Sequence, residues 1–203
     1  YALLAKALIH LYQVTFDMHW LETARTVAED AMIHFINEQS AMFYYTSNEA
    51  ENLVARKMEL ADNVIPSSNA VMAEVMYILG QYYAEDSLIK RSTAMLTQVT
   101  TEIKKGLPYY SNWANLLGLV TYGPYEVAVM GNQSLDKSRE MQAYYLPTTL
   151  FMGGDKENLP LLKNKGVSEG TMIYVCRNKT CKLPQTEVVD AMKQLIVRKE
   201  NQL

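Results

Sequence analysis

Apolar residues recur at three- and four-residue intervals through roughly the first 122 positions, then give way to short unbroken apolar runs. Leu4, Ala7, Leu8, Leu11 and Tyr12 mark one face of a first helix. Thr15-Phe16-Asp17 interrupts it. Asp17 suits the N-cap of a second helix whose face is Trp20 or Leu21, Ala24, Val27, Ala28, Ala31, Met32 and Phe35. From 37 to 66 the helical period is lost. Met42 to Thr46 is rich in strand formers, and Leu53-Val54-Ala55 reads as a partner strand in a hairpin. Pro66 closes this excursion. Ser67 or Ser68 caps a third helix to about Tyr83, with Val71, Val75, Ile78, Leu79 and Tyr82 buried. Asp86 or Ser87 opens a fourth helix to about Lys105, and Gly106 ends it. Pro108 starts a fifth, through Trp113, Leu116, Leu117 and Val120.

At Gly123-Pro124 the pattern changes. Glu126 to Met130 and Pro147 to Met152 read as buried strands, each closed by glycine. Leu135 to Tyr145 reads as helix, Thr171 to Cys176 as another strand and Thr186 to Lys199 as helix. Strands alternating with helices imply a small parallel or mixed sheet. The chain is therefore expected to be mainly α. An array of αα-hairpins over 1–122 is followed by a small α/β subdomain over 123–203.

Composition narrows the function more by exclusion than by assignment. The net charge of -3 argues against a nucleic-acid partner or an anionic membrane, and no apolar run approaches the ~20 residues of a membrane span. The first residue is Tyr1 and not Met, so the chain is expected to start inside a longer protein or to have had earlier residues removed. The three histidines stand apart from one another, so no metal site is expected, and no cofactor motif is present.

One polar segment carries most of the candidate chemistry. Between Arg56 and Asn69 it brings a cation, two carboxylates, an amide and two hydroxyls to the start of the third helix. Glu59 and Asp62, three apart, would share the face of a helical turn as a general acid/base pair. The competing reading has Asp62 and Asn69 tying down backbone, as such side chains do at helix starts. Arg56 and Asn69 are candidate ligand contacts. Tyr45 and Trp113, among Tyr44, Tyr109 and Tyr110, are candidate stacking surfaces for a sugar-like ligand, against the core role usual for aromatic residues. Cys176 and Cys181 flank a four-residue turn, a spacing that permits a disulfide or redox pair. In a cytosol, the favoured location, two reduced thiols are the expected state.

Three patterns in order then suggest a family: Arg56 through Asp62-Asn63-Val64-Ile65-Pro66-Ser67-Ser68-Asn69; Tyr125-Glu126-Val127-Ala128-Val129-Met130-Gly131; and Val175-Cys176-Arg177-Asn178-Lys179-Thr180-Cys181-Lys182-Leu183-Pro184. Together they resemble the C-terminal part of the YyaL-type family of thioredoxin-domain-containing, spermatogenesis-associated proteins. The resemblance implies that 1–122 is part of an α/α toroid similar to six-hairpin glycosidases and N-acylglucosamine 2-epimerases. It also implies a thioredoxin-like domain upstream in the parent chain. Ser68 stands where that family usually has glycine, and the acidic residues that usually precede the Tyr1-Ala2-Leu3-Leu4 stretch are missing. Two functions follow: a carbohydrate-processing or carbohydrate-binding fragment, or a noncatalytic docking module of a redox protein using Cys176 and Cys181. An incomplete toroid exposes apolar helix faces, which favours self-association.

Overall fold

The computed structural model describes residues 1–50 and 55–195. Leu53 and Val54 of the expected hairpin, and the end of the expected C-terminal helix beyond 195, lie outside the described residues. The chain divides into two compact units, one of 1–12 with 17–122 and one of 13–16 with 123–203.

The first unit is helical: α1 (Ala2–Thr15), α2 (Met18–His34), α3 (Ser68–Tyr83), α4 (Asp86–Lys105) and α5 (Ser111–Tyr122). Asp17 caps α2 through the His19 amide at 2.9 Å. Ser67 caps α3 through the Ala70 amide. These caps fix helix starts because the first amides of a helix have no partner within it. Pro108 does not open α5. It lies in a 3-10 turn, Leu107–Tyr109, and the α-helix begins at Ser111.

The helix α3 is the axis of this unit, with 13 of its 16 residues buried. It packs on α4, α5 and α2. Gly80 permits the close approach to α4, since a Cβ there would lie 2.6 Å from Ile89 Cγ1. The Ser92 hydroxyl of α4 donates to Ala73 O of α3 at 2.6 Å, satisfying a buried polar group between the helices. Trp113, Tyr12 and Tyr82 are fully buried, the two tyrosine rings meeting edge-on at 5.4 Å.

The buried face of α1 differs from expectation. Ala2, Ala5, Leu8, Ile9 and Tyr12 face inward, while Leu4 and Leu11 are exposed. The helix is apolar almost all round, so periodicity alone cannot choose its inner side. The expected hairpin falls partly outside the described residues; among those described, the segment after α2 makes one bridge, Ile36 to Phe43. Its aromatic residues are held by backbone and side chain together: Tyr44 N donates to Phe35 O at 2.9 Å, Tyr45 N donates to Lys57 O at 2.8 Å, and Phe43 is bonded by the Asn69 amide.

The second unit is built on a mixed sheet of order β2-β1-β3-β4. It contains β1 (Tyr125–Gly131), α6 (Ser134–Gln142), β2 (Thr149–Gly154), β3 (Thr171–Arg177), β4 (Thr180–Cys181) and α7 (Val188–Met192). The β1-α6-β2 unit joins parallel strands through a helical crossover, and β3 and β4 add antiparallel. One sheet face carries Tyr125, Val127, Val129, Phe151, Ile173 and Val175, packed with Phe16, Met141 and Val188. Gly153 is obligatory here, because a Cβ would come within 2.0 Å of Val129 O on the paired strand.

Candidate functional site

From Arg56 to Ser67 the polar segment is irregular backbone with no helical turn, so Glu59 and Asp62 do not share a helix face. Each reaches the N-terminus of α3 separately. Asp62 Oδ1 accepts from the Ser67 amide at 2.9 Å, and Glu59 Oε2 accepts from the Ser68 amide at 3.2 Å. The other oxygen of Asp62 accepts from the Asn112 amide at 3.0 Å and the Ser111 hydroxyl at 3.2 Å. One buried carboxylate thus joins the N-termini of α3 and α5, where the helix dipoles favour negative charge. Burial by itself pushes the Asp62 carboxyl up, but the Asn112 and Ser67 amides and the Ser111 hydroxyl outweigh it. The group is held below the ordinary carboxylate range. A carboxylate so held stays ionised and accepts; it is poorly suited to donate a proton near neutral pH.

Asn69 is buried and fully used. Its Oδ1 accepts from Phe43 N at 2.8 Å, and its Nδ2 donates to Phe43 O at 2.9 Å and Glu59 O at 3.0 Å. The amide pairs with Phe43 N and O as a neighbouring strand would. The Ser67 hydroxyl donates to Glu59 O at 2.8 Å. Trp113 is fully buried and donates through Nε1 to Leu60 O at 2.8 Å. Its ring has no face open to a ligand, because it is the core residue beneath the loop.

Arg56 is half-buried. Its guanidinium lies 4.1 Å from the Tyr44 ring centroid and donates to Thr46 O. It therefore supports the aromatic segment from behind. Tyr45 is 59% exposed. It lines a cleft of about 320 Å³ with Tyr1, Phe35, Phe43, Tyr44 and Ser68. The structure thus brings Tyr45 and the α3 mouth together, and places Asp62, Asn69 and Trp113 behind that wall. Phe35 and Tyr1 were not among the sequence candidates. Their rings meet at 5.2 Å, a contact between segments far apart in sequence that no local pattern signals.

Cys176 and Cys181 lie in the second unit. They are not two reduced thiols but a disulfide, with a sulfur–sulfur distance of 2.05 Å. The physical reason is register: the two residues are directly opposed on β3 and β4. The strands turn through Asn178 and Lys179, both with positive φ (51° and 62°), the left-handed pair that a two-residue hairpin requires. Glu126 was not singled out from the sequence, although a carboxylate at the head of the apolar run Val127-Ala128-Val129-Met130 is a visible anomaly. It is buried and both its oxygens accept from the Lys179 amide, at 3.2 and 3.3 Å. Burial pushes this carboxyl above the ordinary range, against the pull of the Lys179 amide and the Lys165 and Lys179 charges.

Among the described residues no cluster of three or more His, Cys, Asp or Glu side chains is arranged to hold a metal ion, and no helix is long and apolar enough to cross a membrane.

No family model matches the chain. Over 208 aligned residues, covering 96% of the chain, it is 19% identical to human spermatogenesis-associated protein 20. The mouse and rat proteins of that name are each 20% identical over the same span. The chain spans about a quarter (26%) of the length of these relatives. The similarity is distant but nearly end to end, and it supports kinship with the YyaL-type proteins.

Proposed function

We propose that the helical unit is one wall of a binding site for a carbohydrate-like ligand, which lies against the aromatic cleft at the mouth of α3. The observation that carries this reading is the exposed Tyr45 ring beside Tyr44 and Ser68, in a cleft within the ~300–1,000 Å³ usual for small molecules. Aromatic rings offer a sugar its stacking surface. Ser68 and the adjoining Glu59 supply polar groups at the same edge. Asp62 and Asn69 set the shape of that wall, and Arg56 fixes the tilt of Tyr44. The role is binding; any acid/base step falls to Glu59 and not to Asp62.

Isothermal titration of the chain with glucose and N-acetylglucosamine tests this. Saturable binding at millimolar sugar is expected, weakened about fivefold or more by Tyr45→Ala, with no loss of folding. No saturable heat with either sugar, or binding untouched by Tyr45→Ala, overturns the reading.

A second reading belongs to the other unit. The Cys176–Cys181 bridge favours a redox role there, in which the bridge exchanges with a dithiol such as that of a thioredoxin-like domain.

A further inference from the structure

We infer that Cys181 is the sulfur attacked when the bridge is reduced, and that Glu126 gives its proton to the departing Cys176. This rests on the redox reading of the second unit and names its chemistry. Three observations point to it. First, the two sulfurs are unequally accessible: Cys176 is 3% exposed, whereas Cys181 lies on the exposed edge strand β4. An incoming thiolate therefore reaches Cys181 first, and the buried sulfur is the leaving group. Second, Glu126 stands directly opposite Cys176 across β1 and β3. Directly opposed residues of antiparallel strands hold their Cβ atoms about 4.5–5.5 Å apart on the same sheet face. Third, the Glu126 carboxylate receives the Lys179 amide from the turn that the bridge closes, so acid and disulfide belong to one small assembly.

A thiolate expelled into buried surroundings is costly without a proton. Glu126 is the acid placed to supply one. The charged groups facing it are Lys179 from the turn and Lys165 from the segment after β2, with Glu157 beyond Lys165. Burial outweighs the two cations, so the carboxyl keeps its proton to a higher pH than an ordinary glutamate. In the first step a thiolate of a dithiol reductant forms a bond to Cys181 Sγ. The Cys176–Cys181 bond breaks, its electron pair goes to Cys176 Sγ, and Glu126 transfers its proton there. In the second step the reductant's other thiolate attacks its own bonded sulfur, closes the reductant's disulfide and releases Cys181 as thiolate. The protein gains two electrons, the reductant loses two, and solvent protons restore Glu126 and Cys181. In the reverse direction the Glu126 carboxylate removes the Cys176 proton.

The test uses the oxidised chain and dithiothreitol, with released thiols trapped by maleimide and located by mass spectrometry. Rates are divided by the thiolate fraction of the reagent. The wild-type rate should fall as pH rises through the titration of Glu126. Glu126→Gln should slow reduction at least about tenfold at low pH and flatten the profile. With glutathione as reductant of the wild-type chain, the trapped mixed disulfide should sit on Cys181 and the free thiol on Cys176; an adduct on Cys176 overturns the order of attack. A bridge that never forms under glutathione disulfide, or that resists dithiothreitol, overturns the redox reading itself. Exchange at equal rates in wild type and Glu126→Gln, or a flat normalised wild-type profile, overturns the Glu126 assignment alone. The wild-type profile decides the matter even if the variant does not fold.

Discussion

Replacing Asp62 by Asn should destabilise the helical unit by about 2–4 kcal/mol. The wild-type carboxylate accepts three hydrogen bonds, from Ser67 N, Asn112 N and the Ser111 hydroxyl. An asparagine of the same shape keeps one acceptor oxygen and turns an NH2 towards a donor. If the oxygen faces Ser67, the Asn112 amide is stranded, while the exposed Ser111 hydroxyl turns to accept from the new NH2; if it faces α5, the Ser67 amide is stranded. A hydrogen bond to a charged group contributes about 1.5–3 kcal/mol, and a stranded buried donor costs about 1–3 kcal/mol. Both tryptophans, Trp20 and Trp113, lie in this unit, so their fluorescence during urea unfolding reports on it selectively. The pH dependence supplies a second readout. The folded Asp62 pKa lies below its ordinary 3.8, so the unfolded chain binds more protons in that range. Stability from this group is complete above the ordinary value and is lost as pH falls through the folded one. Asp62→Asn should remove that part of the acid slope. A change under about 0.5 kcal/mol with an unaltered slope would refute the structural assignment. A fully stable variant that no longer binds sugar would make Asp62 a ligand contact instead.

Asn69→Ala should also destabilise the helical unit, by about 2–4 kcal/mol, because it strands Phe43 N and O in the interior; urea unfolding followed by tryptophan fluorescence checks this. Lys179→Gly should stabilise the second unit by about 1 kcal/mol, since only glycine takes φ near 62° without a Cβ penalty; its calorimetric transition should rise. Gly153→Ala should destabilise the same unit by about 3 kcal/mol or more, through the contact with Val129 O, seen as loss of that transition with tryptophan unfolding unchanged.

The sequence by itself determined the order of the helices and the starts of α2 and α3, though not that of α5. Asp17 and Ser67 stand where their side chains start a helix, and those signals are local. The change from helical period to apolar runs near 122 marks where a small mixed sheet follows a helical stretch. The candidate site was legible only as a list of residue types. Burial decides which of them face a ligand, and burial depends on neighbours distant in the chain. Trp113 lies fully buried, Asp62 ties α3 to α5, and Asn69 stands in for a strand, each through partners some 26 to 53 positions away. The inner side of α1 was undetermined for a related reason, since a helix apolar on every side carries no directional signal. The disulfide depended on the register of β3 against β4, and register is a pairing of strands that the spacing of two cysteines permits but does not choose.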